Sequence, residues 1–318
     1  MSVAKHEAVI PVVRQPDAAP PATAVYSVLK VVLAGCAVIL CWAYSPVGIR
    51  VGLEAYSPGH VALLRFLMAS VFMAVIALVF KISLPRLRDV PLFLVLGFFA
   101  VTLHHLAINT GQHWVSAGAS SVLSQSSPLF STVIARVFLK EQVSRWRWLS
   151  VLVGLTGAFI VVSGGIALAD LNIRGFLILV AALSWSIYFT LQKRFATRYS
   201  LLTMVCCTVW AGTLLLCVYL PGLGQAFEQA PLHVNVSVLL LGIFPSALAY
   251  LAWAYVLNHI ELSRASVFLY LVPPMAILMA AILLGERVSA GVLIGGAIVI
   301  FSVVMINLEA KARLLFRF

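Results

Sequence analysis

One segment of this chain is written twice. Residues 96–144, shifted by 145, lie on residues 241–289 without a gap, and 14 of the 49 aligned positions are identical. Gly97 falls on Gly242, Phe99 on Phe244, Ala107 on Ala252, Ser121 on Ser266, Pro128 on Pro273, Glu141 on Glu286 and Ser144 on Ser289. Apolar composition alone produces scattered Leu and Val matches, but not Gly, Ser, Pro and Glu matches in one register. Self-similarity at so long a period marks a duplicated bundle, so any fold for this chain has two like halves.

Composition sets the solvent of that bundle. The 318 residues are 63% hydrophobic and 10% charged, with mean hydropathy +1.08, outside the range of soluble domains. A run of about 20 apolar residues crosses the hydrocarbon core of a bilayer as a helix. Ten such runs occur: 28–49, 58–80, 90–110, 116–139 and 146–166, then 174–195, 201–220, 235–257, 263–285 and 290–308. The expected fold is all-α integral membrane, ten transmembrane helices in two inverted five-helix repeats. Inversion follows from parity, because an odd number of spans starts the second half from the opposite side. The expected division is a disordered cytoplasmic tail over 1–27, repeats over 28–168 and 169–308, and a cytoplasmic tail over 309–318. Residues 1–27 show no short apolar core with a small-residue cleavage site, so no cleaved signal is expected.

The net charge of +11 does not indicate nucleic acid, because the basic residues stand singly at span ends. With the N-terminus cytoplasmic, that side holds 17 Lys and Arg residues, and only Arg50, Arg174 and Arg287 lie opposite. The positive-inside rule then places both termini in the cytoplasm. Arg65 lies inside the second span, seven residues or roughly 10 Å from its outer end. Snorkelling to the interface and attraction of an anion both remain open for it.

Polar and aromatic side chains within the spans are the candidate site. His105, Asn109 and Gln112 share one helical face, as do Ser121, Gln125, Pro128 and Thr132 on the next span. Trp185 and Tyr188 share a face in the sixth span; Ser246, Tyr250 and Trp253 share one in the eighth, and Tyr270 lies in the ninth. Trp114, Trp146, Trp148 and Tyr219 fit an interfacial aromatic belt instead. Serines at span faces also serve close packing. The repeat separates the two roles: Trp42 matches Trp185 at an offset of 143, and His105 matches Tyr250 and Gln125 matches Tyr270 at 145. Faces that stay polar in both halves are expected to meet at a shared pocket near the bilayer midplane. The expected substrate-binding residues are Trp42, His105, Asn109, Ser121, Gln125, Trp185, Tyr188, Tyr250, Trp253 and Tyr270. Pro46, Pro128 and Pro273 are expected hinges, because proline frees a carbonyl within a helix.

Enzymatic chemistry finds no motif here: neither a zinc-hydrolase His pair, nor a nucleophile elbow, nor a phosphate-cradling glycine loop. No cofactor or metal site is expected. The five cysteines lie within apolar spans and read as small hydrophobes.

Ten spans in two halves, Trp42, the pair Arg65 and Phe66, and a span proline followed by Leu, Glu and Ser in each half resemble the drug/metabolite transporter superfamily, in its EamA-domain family. The resemblance covers about residues 28–308. One departure is that Arg65 aligns with Thr208, so the Arg-Phe pair occurs in the first half alone. Within the family the chain is most similar to bacterial amino-acid and metabolite exporters of the YddG type. The resemblance implies a multi-pass transporter of the inner (plasma) membrane, exporting small metabolites such as amino acids, aromatic and hydrophobic ones included, by alternating access. Its partners would be a small-molecule substrate and the bilayer. A sugar-phosphate or nucleotide-sugar exchanger is the alternative and would want two or more pocket cations; a membrane channel or accessory protein is another.

Overall fold

The computed structural model describes residues 22–138, 143–162, 175–195, 198–259, 269 and 271–315, and every regular element among them is helical. In chain order these are α1 (Ala22–Gly52), α2 (Pro58–Val79), α3 (Val90–Gly97), α4 (His104–Gln112), α5 (Ala117–Ser124), α6 (Ser127–Phe138) and α7 (Arg145–Val162). The second half holds α8 (Phe176–Phe195), α9 (Leu201–Leu216), a short α10 (Leu223–Gln229), α11 (Leu232–Ile243), α12 (Ala249–His259), α13 (Val272–Leu284) and α14 (Ala290–Leu315). Among the described residues, five helical stretches are long and apolar enough to cross a membrane: Leu29–Gly52, Pro58–Val79, Leu87–Gln112, Leu201–Tyr219 and Leu232–Trp253. Phe176–Gln192, Val272–Leu284 and Ala290–Met305 are shorter apolar helices. Helix α1 begins at Ala22 and α14 reaches Leu315, so helix extends into both segments read from sequence as tails.

Each half interrupts its helices at matching places. A π-helical turn joins α3 to α4 at Phe98–Leu103, and another joins α11 to α12 at Phe244–Leu248. Such a turn leaves a carbonyl outside the regular ladder, and each is used by the other half. Trp42 of α1 donates its indole N–H to Pro245 O at 3.2 Å, and Ser184 of α8 donates to Phe99 O at 2.7 Å. Helix α6 starts at Ser127 and α13 at Val272, again 145 residues apart. Ser57 and Ser200, offset by 143, cap α2 and α9 by accepting from the third residue on.

Packing is exchanged between halves. Helix α1 lies against α11, α12 and α13, while α8 lies against α4, α5 and α6. Helix α2 packs on α11, and α3 packs on α9. Two tyrosines repeat the exchange: Tyr56 donates to Asn235 Oδ1 on α11, and Tyr199 donates to Asp89 Oδ2 before α3 at 2.5 Å. Ser70 and Thr213, themselves counterparts at the 143 offset, touch through their hydroxyls at 2.8 Å.

In lipid, apolar surface does not drive helices together; close packing and hydrogen bonds do. One close crossing is α3 on α9, where a Cβ on Gly97 would lie 2.4 Å from Gly212 N. Outward, Leu78, Leu152, Ile282, Leu293 and Phe301 are at least 56% exposed along the flanks. So much contiguous apolar surface suits a hydrocarbon surround and not water.

Candidate functional site

The aromatic cavity lies where α1, α8, α9 and α12 converge. It is lined by Trp42, Trp185, Tyr188, Phe189, Gln192, Leu201, Val205, Tyr250 and Trp253. Its free volume is about 40 Å³, well below the roughly 300–1,000 Å³ of small-molecule sites, so the rings stand close together in this state. Each lining residue comes from helical spacing: Trp185, Tyr188, Phe189 and Gln192 project from one side of α8, and Tyr250 and Trp253 from one side of α12.

The rings brace one another in tilted and edge-on contacts, the arrangement their quadrupoles favour. Trp42 meets Tyr250 at 6.3 Å and Trp253 at 5.7 Å between centroids. Trp185 meets Tyr188 at 5.3 Å, Phe189 at 5.2 Å and Tyr250 at 6.2 Å. Trp42 and Trp185, the repeat counterparts, thus both reach Tyr250. The cavity wall is almost wholly rings and aliphatics, with Gln192 and the two tyrosines as its polar residues; the Trp42 indole N–H is already donated to Pro245 O.

Five of the ten residues expected from sequence line this cavity: Trp42, Trp185, Tyr188, Tyr250 and Trp253. The polar face of α4 lies elsewhere. His105, Asn109 and Gln112 are all buried on it, at 5%, 0% and 0% exposure, but as fasteners to neighbouring helices. Asn109 donates to Pro58 O at the start of α2 at 3.0 Å. Gln112 donates to Pro46 O in α1 and accepts from Ser120 Oγ of α5 at 3.2 Å. His105 stacks on Phe66 at 4.6 Å, and its Nδ1 has no hydrogen-bond partner. Ser121 is buried with an unpartnered hydroxyl, and Gln125 sits half-buried at the break between α5 and α6. Tyr270 lies outside the described residues.

The hinge candidates differ from one another. Helix α1 runs through Pro46 without a break. Pro128 and Pro273 are each the second residue of a helix, α6 and α13, where a missing N–H costs nothing. The interruption lies just ahead of them, at Gln125 and Ser126 in the first half.

Two features escape the sequence reading, and a third, left open there, is placed by the structure. His104, not His105, touches the aromatic cluster, 4.8 Å from Trp185, with Nδ1–H donated to Ala181 O at 2.9 Å. Leu201 and Val205 of α9 complete the wall, an aliphatic pair four apart that carries no polar signal. Arg65 does not snorkel: it is 3% exposed and turned into the bundle, donating to Ser246 Oγ at 2.5 Å and Ser45 Oγ at 3.1 Å.

One end of the bundle is tied shut between the halves. Glu54 meets His233 at 3.3 Å and Glu286 accepts from Ala117 N at 3.0 Å across the halves, while Arg50 donates to Gln112 O at 3.0 Å within the first half. The cavity rim residues Gln192 and Leu201 lie toward the other end, which carries Asp89 and Arg198.

Helices too apolar for water, two halves that exchange contacts, and a ring-lined cavity between them define a membrane transporter. Residues 29–163 and 173–308 each match the EamA-like transporter family, and the chain belongs to that family. It is 34% identical to an uncharacterized transporter, YdfC, of Bacillus subtilis (strain 168), over 89% of this chain and 92% of that one. It is 33% identical to a probable terminal-alkyne amino-acid exporter of Streptantibioticus cattleyicolor, over 89% of this chain and 95% of that one. A crystal structure aligns with TM-score 0.60 at 18% identity, covering 89% of this chain and 98% of the other, a likeness of fold alone. Membership implies a small-molecule substrate and a lipid surround.

Proposed function

We propose that this protein exports small metabolites, above all amino acids with aromatic or hydrophobic side chains, across the inner membrane by alternating access. The cavity carries the reading: its wall is largely rings and aliphatics, with a few polar points, as an amphiphilic solute requires. The Streptantibioticus cattleyicolor relative, named as a probable amino-acid exporter, supports the same class.

The proposed architecture is ten transmembrane helices in two inverted repeats, 28–168 and 169–308, flanked by cytoplasmic tails over 1–27 and 309–318. The exchanged contacts support it. Tyr56 reaches α11 as Tyr199 reaches the start of α3, and Ser70 touches its own counterpart Thr213. A residue in contact with its counterpart sits on the axis relating the halves, and a two-fold axis allows such a contact. With the basic end cytoplasmic, the cavity opens inward and the tied end closes it outside. Transport then requires the ties of Glu54 and Glu286 to part while the cytoplasmic rim closes. Gln125, Ser121 and Tyr270 are proposed to contact solute in that other state, with flexing at Pro46, Pro128 and Pro273.

Flux of labelled amino acids, drugs and sugar phosphates into proteoliposomes tests the reading. Amino acids should be taken up, and Trp185→Ala should lower uptake without lowering insertion. Uptake of sugar phosphates alone would replace the reading with the exchanger alternative.

A further inference from the structure

Among the described residues, no counter-charge meets Arg65 in the bundle. It is 3% exposed, and its described partners are two neutral hydroxyls, Ser246 Oγ at 2.5 Å and Ser45 Oγ at 3.1 Å, with the Phe66 ring 5.5 Å from its guanidinium carbon. The chain has ten Asp and Glu residues, and each falls in a tail, a loop or at a span end. The described ion pairs, Arg198 with Asp89 and His233 with Glu54, lie at the ends of the bundle. A buried cation is costly unless an anion meets it, and serine hydroxyls occupy only two of the guanidinium's five N–H donors.

Its place relates it to the cavity. Ser45 is three residues from Trp42 on α1, and Ser246 is four residues from Tyr250 on the eighth span. Arg65 therefore lies about one helical turn, roughly 5 Å, past the ring wall, at the end away from the Gln192 and Leu201 rim. A second polar group waits beside it: His105, stacked on Phe66 at 4.6 Å, is 5% exposed with Nδ1 unpartnered.

We propose that Arg65 receives the carboxylate of the solute, and that this carrier reads amphiphilic monocarboxylates by ring and carboxylate, leaving the α-amino group unread. The inference rests on the transporter reading above and narrows its substrate class. One guanidinium balances one carboxylate, whereas a phosphate monoester brings about two negative charges at neutral pH. No acidic residue at depth is available to pair with an ammonium group, so the amine gains no ionic partner. Carboxylates without an amino group should therefore compete with amino acids, and amines without a carboxylate should not.

The test titrates the purified protein in detergent with 3-phenylpropionate and with phenethylamine, following the fluorescence of its seven tryptophans. The carboxylate should bind at least ~10-fold tighter than the amine, as a charge-assisted hydrogen bond allows. Arg65→Gln should abolish that preference, and Arg65→Lys should keep it at lower affinity, because a lysine keeps the charge but lacks the planar fork. Equal binding of both probes, binding of neither, or a preference that survives Arg65→Gln overturns the proposal. If Arg65→Gln does not fold, the comparison on the unaltered protein together with Arg65→Lys decides. Absence of flux for every amino acid would instead defeat the transporter reading, while flux with no carboxylate preference defeats only this inference.

Discussion

Glu286 offers a perturbation whose size can be worked from geometry. The first turn of α5 presents N–H groups that have no partner within the helix. Ser116 Oγ accepts from Ala119 N at 3.1 Å, and Glu286, from the turn between α13 and α14, accepts from Ala117 N at 3.0 Å and Gly118 N at 3.4 Å. One carboxylate thereby pins the second half to the first at the tied end. Hydrogen bonds to a charged group are worth about 1.5–3 kcal/mol, and a negative charge at a helix N-terminus about 0.3–1 kcal/mol. Glu286→Ala leaves two N–H groups bare and should destabilise by about 1.5–3 kcal/mol. Glu286→Gln keeps an acceptor and loses the charge, so it should cost about 0.3–1 kcal/mol. Thermal unfolding in detergent at one fixed heating rate reads the order, with exposed Glu228→Ala as the control expected near the unaltered protein. If Glu286→Ala melts with the Glu228→Ala control, or the Gln variant falls as far as the Ala variant, the clasp does not hold α5.

Three further outcomes are expected. A cysteine placed at Gln229 should react with an impermeant reagent from outside intact cells, and one placed at Arg147 should not; the reverse would refute the inverted arrangement. Gly97→Ala should cost about 1–3 kcal/mol by overpacking, since its Cβ would lie 2.4 Å from backbone, while Gly224→Ala, with nothing within 4 Å, should be tolerated. Uptake in liposomes should survive a protonophore, because no carboxylate lies at membrane depth and His104 is engaged with Ala181 O. Loss of uptake on dissipating the pH gradient, restored to independence by His105→Gln, would assign proton movement to His105.

Much of this fold is legible because a bilayer demands long apolar runs and a duplication repeats its punctuation. Ser57 and Ser200 announce their helix starts as caps, whereas Pro128 and Pro273, expected as hinges within spans, stand at helix starts at one offset. The π-turns are not legible: Phe98–Leu103 and Phe244–Leu248 are apolar, and their partners Ser184 and Trp42 come from distant helices. The repeat pairs Trp42 with Trp185, and both meet Tyr250 in the ring cavity, whereas His105, the counterpart of Tyr250, lies outside it. The polar face of α4 reads as pocket-lining from its spacing, yet Asn109 and Gln112 meet backbone carbonyls of α2 and α1. A solute and a neighbouring carbonyl ask for the same donors, so spacing along one helix does not separate them. For the same reason His104 and His105, about 100° apart on the helix, exchange roles without altering the pattern.

Counterflow measures the central claim most directly. Proteoliposomes loaded with unlabelled phenylalanine should accumulate labelled phenylalanine transiently, with a saturable rate that falls in Trp185→Ala and Tyr250→Phe vesicles of equal protein content. Flux that rises linearly with concentration and shows no acceleration by internal solute would mark a channel and contradict alternating access through the cavity.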